Sequence, residues 1–409
     1  MTAPLRLVIA EDDVEPGLLP KAVRYLGDRG GALTELEPKT LRMHHRDLGT
    51  RPQFRSTASA DALIDELERI GLTGRGGGHF PAATKWRAVR SKRSAAGIVV
   101  ANGAEGEPRS RKDAALLELR PHLILDGLAC AAETVGAAEA VIWLHAGDHP
   151  ARSAITRALT ERQAAELDEP SMRIALGPDH YLTGESSAVV EGVFGRPARP
   201  QFHRVHAALG EPSILVHNVE TLARVALAAR GDDATRTVLV SVTDGDSIVV
   251  LEVPDRHTVQ GAVRAALGEV RPQAVLLGGY GGVWVDWDAA AGPSLRQSDL
   301  QRHSLSLGAG VLETLPAGRC GLVEAARIAR FLSDSSARQC GPCLFGLSAI
   351  ADSLTTLSRP SRWHRRESTR LAGFVSEVRG RGACHHPDGA ARMVASALQT
   401  FKADVSSHL

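Results

Sequence analysis

The sequence predicts an α/β protein with a mostly parallel sheet, followed by a small α+β unit and a four-helix bundle. Three observations carry that prediction. Between residues 97 and 177, short apolar runs alternate with helical stretches, the pattern of a parallel sheet covered by helices. Over residues 235–254, two apolar runs flank Asp-Gly-Asp, which signals a β-hairpin. From residue 321 onward the text is helical in period, as a bundle requires.

Residues 1–55 read as an irregular N-terminal segment, punctuated by Pro16, Pro20, Pro38 and Pro52. "DALIDELERIGL" (61–72) predicts an amphipathic helix running into glycine. "GIVVANGAEGEP" (97–108) is a buried strand followed by a polar turn. "DAALLELRPHLILDGLACAAETVG" (113–136) reads as helix, and "AVIWLHAG" (140–147) as a second strand. The helix "HPARSAITRALTERQAAEL" and the strand "SMRIALG" (171–177) follow. Beyond the hairpin come the helix "TVQGAVRAALG" and the strands "QAVLLGGYGG" and "GAGVLETLP". The last quarter holds "GLVEAARIARFLSD", "LFGLSAIADSLTTL", "STRLAGFVSEVRG" and "DGAARMVASALQTFK" as its four helices. These readings divide the chain into residues 1–55, an α/β domain over 56–234, an α+β unit over 235–318 and a helical bundle over 319–409.

Charge is balanced, with 48 Lys+Arg against 47 Asp+Glu and a net charge of +1. That gives no electrostatic case for nucleic acid or an anionic membrane surface. Five cysteines are too few and too unevenly spaced for a disulfide scaffold, and suit a reducing compartment. The first residues lack a signal-peptide pattern, and no window approaches a membrane span. A soluble, cytoplasmic protein without direct membrane insertion is expected.

Two stretches carry chemistry. "GLTGRGGGHFPAATKW" (71–86) places five glycines and Arg75 ahead of a short helix. Glycines admit a phosphate to the backbone N–H groups, and a following helix N-terminus adds its dipole. Arg75 and Lys85 could supply charge; a plain flexible loop is the alternative. "SSARQCGPCLFGL" (335–347) contains Cys-Gly-Pro-Cys, which fits a thioredoxin pair, half a zinc site or part of an iron–sulfur run. The preceding text is helical, with no βαβ pattern, which argues against thioredoxin.

The order Gly-Arg-Gly-Gly-x-x-Phe-Pro-x-x-x-Lys-Trp, then "NGAEGEP" (102–108), "KD" (112–113) and "RPHLILDG" resembles the flavoprotein subunit of respiratory complex I. Its relatives in NAD-reducing hydrogenases and formate dehydrogenases share the pattern. "YLTGESSAVVEGVFGR" (181–196) and "NVETLARV" (218–225) extend the resemblance, and "GGYGG" and "GAGV" match glycine turns of the family's ubiquitin-like module. The resemblance implies a Rossmann-like FMN-binding domain, a ubiquitin-like α+β domain of the soluble-ligand-binding β-grasp type and a C-terminal four-helix bundle. It implies an FMN-dependent oxidoreductase subunit that moves electrons between NAD(P)H, or a ferredoxin-like partner, and an iron–sulfur centre. A 2Fe–2S or ferredoxin-like subunit within a larger redox complex would be its partner. Carried over, Gly74, Arg75, Gly76, Gly77 and Lys85 would hold the FMN phosphate and ring edge. Asn102, Glu105, Gly184, Glu185, Asn218 and Thr221 would line the flavin, with Tyr181 beside them. Phe80 and Glu107 would face the dinucleotide. FMN rather than FAD is expected, because no Gly-x-Gly-x-x-Gly loop follows a strand. Asn218 could equally cap the helix that starts at Val219.

The chain departs from the family at several places. Ala104 and Ser186 stand where the family has carboxylates, His217 replaces an asparagine, His79 a glycine and Ala88 an aromatic. These changes predict weak or altered dinucleotide use. At the cysteine motif, Cys340, Cys343 and Cys384 match the family's second, third and fourth cluster ligands, while Ala337 occupies the first position. A 4Fe–4S cluster completed by Asp334, Ser335, Ser336, His385, His386 or a partner's side chain is one outcome. A 3Fe–4S cluster, a Cys₃His zinc site and an empty site are the others. The rival reading of the whole chain is a non-catalytic assembly subunit that keeps the fold, with zinc or nothing at the cysteines.

Overall fold

The computed structural model describes residues 18–19, 22–26, 37–91, 97–201, 213–233, 235–245, 247–359 and 364–408. The chain opens with β1 (Val23–Leu26), α1 (Leu41–Leu48), α2 (Thr57–Arg69) and α3 (Ala82–Ser91). Then come β2 (Gly97–Asn102), α4 (Lys112–Leu119), α5 (Pro121–Val135), β3 (Ala137–His145), α6 (His149–Ala164) and β4 (Met172–Gly177). A 3₁₀ turn (Tyr181–Gly184) leads to α7 (Ser186–Val193), β5 (Ile214–Asn218) and α8 (Val219–Ala228).

Strands β2–β5 form one sheet, in the order β4-β3-β2-β5, and every pairing is parallel. Both of its faces are buried. Val99, Ala101, Ala140, Ile142 and Leu215 point into a large core shared with α2–α6 and α8. Ile98, Val100, Val141, Trp143 and Val216 fill a smaller core under α7. Such near-continuous apolar strands are what a sheet covered on both faces needs.

The second sheet is mixed. It contains the hairpin β6 (Thr237–Asp244) and β7 (Ser247–Pro254), then β8 (Ala274–Leu277), β9 (Val283–Asp286) and β10 (Val311–Leu315), with α9 (Val259–Leu267) packed across it. α10 (Gln297–Arg302) lies in the connection to β10. The strand order is β1-β7-β6-β10-β8-β9, with β6–β10 its parallel pairing. The C-terminal region holds α11 (Gly321–Asp334), a π-helical turn (Pro342–Gly346), α12 (Leu347–Leu357), α13 (His364–Val378), α14 (His386–Thr400) and α15 (Lys402–His408). Its core takes in Ala274, Leu276 and Trp284 of the mixed sheet, so the helices are seated on that sheet.

Three expectations change. The stretch 1–55 is not wholly irregular, because Val23–Leu26 pairs antiparallel with β7 and residues 41–48 form a helix capped by Thr40. The run 113–136 is two helices. Pro121 disfavours helical backbone at Arg120, whose φ is −129°, and then serves as the first residue of α5. "QAVLLGGYGG" supplies only β8, and its glycines turn the chain into β9, a strand the sequence pattern did not announce.

Candidate functional site

The site forms where the carboxyl ends of the parallel strands meet the glycine loop. The loop closes on itself through Gly74 N–H donating to Phe80 O at 2.9 Å. Arg75 N–H donates to Thr221 Oγ1 at 2.9 Å, which ties the loop to the start of α8. Gly77 sits at φ +95°, a conformation that side chains rarely adopt.

At the end of β5, Asn218 caps α8 by accepting from Glu220 N–H at 2.9 Å, and its Nδ2 donates to Asp113 Oδ2 at 2.6 Å. The capping reading of Asn218 therefore holds, and the residue also faces the cleft. At the end of β2, Asn102 Nδ2 donates to Gly184 O at 2.8 Å. A Cβ on Gly184 would lie 2.2 Å from Ala104 O, so only glycine lets these two segments meet.

A buried charge network underlies the floor. Lys112 Nζ lies 2.6 Å from Asp113 Oδ1 and 3.1 Å from Glu220 Oε2, and Glu220 also pairs with Arg224 at 2.9 Å. Burial opposes the Glu220 charge, but Lys112 and then Arg224 hold its pKa down at about 2. Glu105 accepts from the N–H groups of Asp113 and Ala114 at the start of α4, both at 3.3 Å. Burial and the neighbouring Asp113 push its pKa up to about 7. Glu107 accepts from Tyr280 N–H at 3.0 Å and from Tyr181 OH at 3.3 Å, with the Arg109 N–H close by. Burial pushes its pKa up to about 8.

Above this floor lies a cleft of about 340 Å³. Of the residues expected to bind cofactor, Arg75, Gly76, Gly77, Asn102, Glu105, Glu107, Tyr181, Gly184, Glu185 and Asn218 line it. Gly74 and Thr221 stand behind the wall as loop supports. Phe80 is 55% exposed on the outer surface. Lys85 is not among the lining residues: its Nζ donates to Val216 O at 2.6 Å, on the strand that ends at Asn218 and beside the buried Trp86–His217 hydrogen bond. Glu185 spends its carboxylate on the N–H groups of Ser187 and Ala188 at the start of α7.

The mixed sheet and the C-terminal helices complete the cleft through Gly278, Gly281 and Gly308, and through Cys384, His386 and Arg392. Gly389 of α14 stands against Gly281, where an added Cβ would come within 3.2 Å of Gly281 Cα, and Arg392 donates to Gly281 O at 2.7 Å. A second cavity, of about 390 Å³, lies behind the Glu105-Gly106-Glu107 turn and is lined by Glu118, His145 and His180. In sequence, Lys112 and Asp113 belong to a motif without a role of their own, and nothing marks Glu220 or the glycines of the mixed sheet as site residues.

The residues fit FMN. The guanidinium Nε of Arg75 and both ring nitrogens of His79 are buried without hydrogen-bond partners, next to the glycine loop. The Arg75 N–H and the one N–H of a neutral His79 ring, beside open backbone, are donors that a terminal phosphate would satisfy. Burial, and after it the Arg75 charge, lowers the His79 pKa to about 4.

Cys340, Cys343 and Cys384 come together around the π-helical turn and the start of α14. The Cys340 and Cys343 thiols are hydrogen-bonded, Cys384 lies within electrostatic reach, and all three are free thiols. Burial, then Cys340, pushes the Cys343 thiol up to about 12. Among the described residues, no three His, Cys, Asp or Glu side chains are gathered so as to hold a single metal ion. The donor set, three thiols from two segments, is the chemistry that iron–sulfur clusters use.

Comparison with known proteins agrees with this geometry. The Nuo51 FMN-binding domain family matches residues 67–227, and the NADH-ubiquinone oxidoreductase-F iron–sulfur binding region matches residues 324–408. Over these two stretches the chain matches the FMN-binding and iron–sulfur-binding domains of a flavoprotein class, and along most of its length it is similar to NADH-quinone oxidoreductase F subunits and to a chain of an NAD⁺-reducing hydrogenase. It is 26% identical over 383 residues to an NADH-quinone oxidoreductase F subunit of Rhizobium meliloti, covering 85% of this chain and 89% of that one. The corresponding F subunit of Streptomyces coelicolor is 26% identical over 408 residues, covering 92% and 89%. The structure of an NAD⁺-reducing [NiFe]-hydrogenase in the H₂-reduced state superposes with a TM-score of 0.75 at 25% identity, covering 91% of this chain and 67% of that one. No helix among the described residues is long and apolar enough to cross a membrane.

Proposed function

We propose that the chain is an FMN-dependent electron-transfer subunit of a larger redox complex, acting between NAD(P)H and an iron–sulfur centre at Cys340, Cys343 and Cys384. One observation carries the reading. A single cleft is walled by the glycine loop, by the ends of the parallel strands and by Cys384, so a flavin site would open onto one of the three thiols. FMN, when bound, supplies hydride acceptance and single-electron release.

The chain's own residues bind and orient. Arg75 and the open backbone of the glycine loop receive the phosphate. Asn102, held between Gly184 O and Ala104 N–H, would line the flavin. Lys112 offsets the carboxylates beneath the cleft. Glu107, neutral at pH 7, leaves the dinucleotide side of the cleft without a full negative charge there.

The same layout supports a Rossmann-like FMN domain over 56–234, a ubiquitin-like β-grasp unit over 235–318 and a helical bundle over 319–409. The partner would be acidic and ferredoxin-like or 2Fe–2S in type, in the cytoplasm. Residues 319–409 carry 13 Lys+Arg against 7 Asp+Glu. Leu344 and Phe345, directly after Cys343, are 49% and 74% exposed. A net basic region with exposed apolar side chains suits such a partner.

Anaerobic reconstitution with FMN, iron and sulfide tests the proposal. NADH or NADPH should bleach the flavin absorbance and then reduce the iron–sulfur chromophore. Flavin that binds but resists both reductants would instead favour the non-catalytic assembly role.

A further inference from the structure

A four-iron cluster ordinarily takes four cysteine thiolates, and this chain cannot provide them. It has five cysteines in all. Cys130 is fully buried inside α5, in the core of the parallel-sheet region. Cys320 precedes α11, at the opposite end of that 14-residue helix from the Cys340 loop, roughly 20 Å away. Three thiols remain, so a four-iron cluster here needs a fourth ligand of another kind.

The neighbouring candidates separate by what they already do. Asp334 is exposed at the end of α11, and His385 is exposed at the start of α14. Ser335 faces the second cavity. His386 is buried, but its Nε2 is bonded to Leu332 O at 2.8 Å and its ring packs on Tyr181, with centroids 5.5 Å apart. Ser336 differs from all of these. It is only 7% exposed, and its hydroxyl has no hydrogen-bond partner. A buried hydroxyl without a partner is a cost that folded proteins rarely keep without a reason.

The loop that carries Ser336 leads into the thiols, with Cys340 four residues on. Ser336 N–H donates to Ser333 O, which continues the last turn of α11. Two residues later Arg338 takes a left-handed backbone, φ +53°, and its N–H reaches the Cys343 sulfur. A non-glycine residue held in that conformation stores strain that a bound group would stabilise.

We infer that Ser336 Oγ is the fourth ligand of the iron–sulfur centre, taking the place that a cysteine thiolate would fill. Ligation forms one iron–oxygen bond and releases the hydroxyl proton to solvent, with no change in oxidation state. The inference rests on the iron–sulfur reading proposed above.

The test is anaerobic reconstitution of the full chain with ferrous iron and sulfide. The readouts are iron content, electron paramagnetic resonance of the oxidised and reduced states, and a thermal melt for folding. The parent chain should hold a four-iron cluster. Ser336→Ala should lose one iron in four and show a three-iron signal when oxidised. Ser336→Cys should keep four irons with a shifted reduction potential. Ser335→Ala and His385→Ala should match the parent. A Ser336→Ala protein with four irons and parental spectra overturns the assignment while leaving the iron–sulfur reading intact, and so does loss of the fourth iron in His385→Ala. If Ser336→Ala melts early, Ser336→Cys decides alone, because parental spectra and potential in that variant also overturn the assignment. A parent chain that takes up no iron overturns both readings.

Discussion

Replacing Glu107 with Gln should make the protein more stable at alkaline pH and leave it unchanged in acid. The Glu107 carboxyl accepts from Tyr280 N–H and Tyr181 OH, has the Arg109 N–H close by, and faces Glu313, another buried acid. Burial therefore carries its pKa from 4.5 up to about 8. Below pH 4.5 the group is protonated both folded and unfolded, and nothing is lost. Between pH 4.5 and 8 the unfolded chain releases the proton while the folded chain keeps it, so stability falls as pH rises. The full penalty above pH 8 is on the order of 5 kcal/mol, and structural relaxation with water entry brings it to ~2–4 kcal/mol. Glu107→Gln keeps an acceptor for Tyr280 N–H and removes the ionisation. Thermal melts of the full chain from pH 5 to pH 9 read the effect. At roughly 2–4 °C per kcal/mol, the variant should melt about 5–15 °C above the parent at pH 9 and level with it at pH 5. Parallel pH profiles for the two proteins would refute the raised pKa of this buried carboxyl.

Arg75→Ala should weaken FMN binding by ~1.5–3 kcal/mol, the value of a charged hydrogen bond; flavin fluorescence titration measures it, and unchanged affinity would take Arg75 out of the phosphate site. Lys112→Met leaves Asp113 and Glu220 without the lysine they share and should cost about 3–5 kcal/mol in urea unfolding; a loss below ~1 kcal/mol would mean the network contributes little. Gly184→Ala drives a methyl into Ala104 O, so it should displace Asn102 and lower flavin content in equilibrium dialysis; parental flavin binding would show that the two segments can part without harm.

Much of the fold was legible because its signals are local. The alternation over 97–177, the Asp-Gly hairpin and the helical C-terminus all appear where the pattern put them. What the sequence hid is non-local. β1 is four residues in a proline-broken stretch, and it becomes a strand by pairing with β7, more than 200 residues away. The split at Arg120 was visible in principle, since Pro121 marks it, but the apolar run on both sides masked the break. The glycine loop, the strand-end residues and the three cysteines were readable as motifs. The Lys112–Asp113–Glu220 network was not, because a charge buried among opposite charges looks in sequence like any solvated surface. Lys85 carries information that its motif position did not: one of its three ammonium donors is bonded to the Val216 carbonyl.

The contact between Gly281 and Gly389 bears on how fast such a protein could work. Two residues without side chains let α14 lie directly on the turn between β8 and β9, and Arg392 fastens it there. Cys384 sits just ahead of the first turn of that helix, so its sulfur inherits the helix's position. Tunnelling between redox centres decays exponentially with separation, and a wedge of one methyl group at either glycine would tilt the helix and lengthen the gap. A pair of hydrogens in van der Waals contact would then act as the spacer that sets the current.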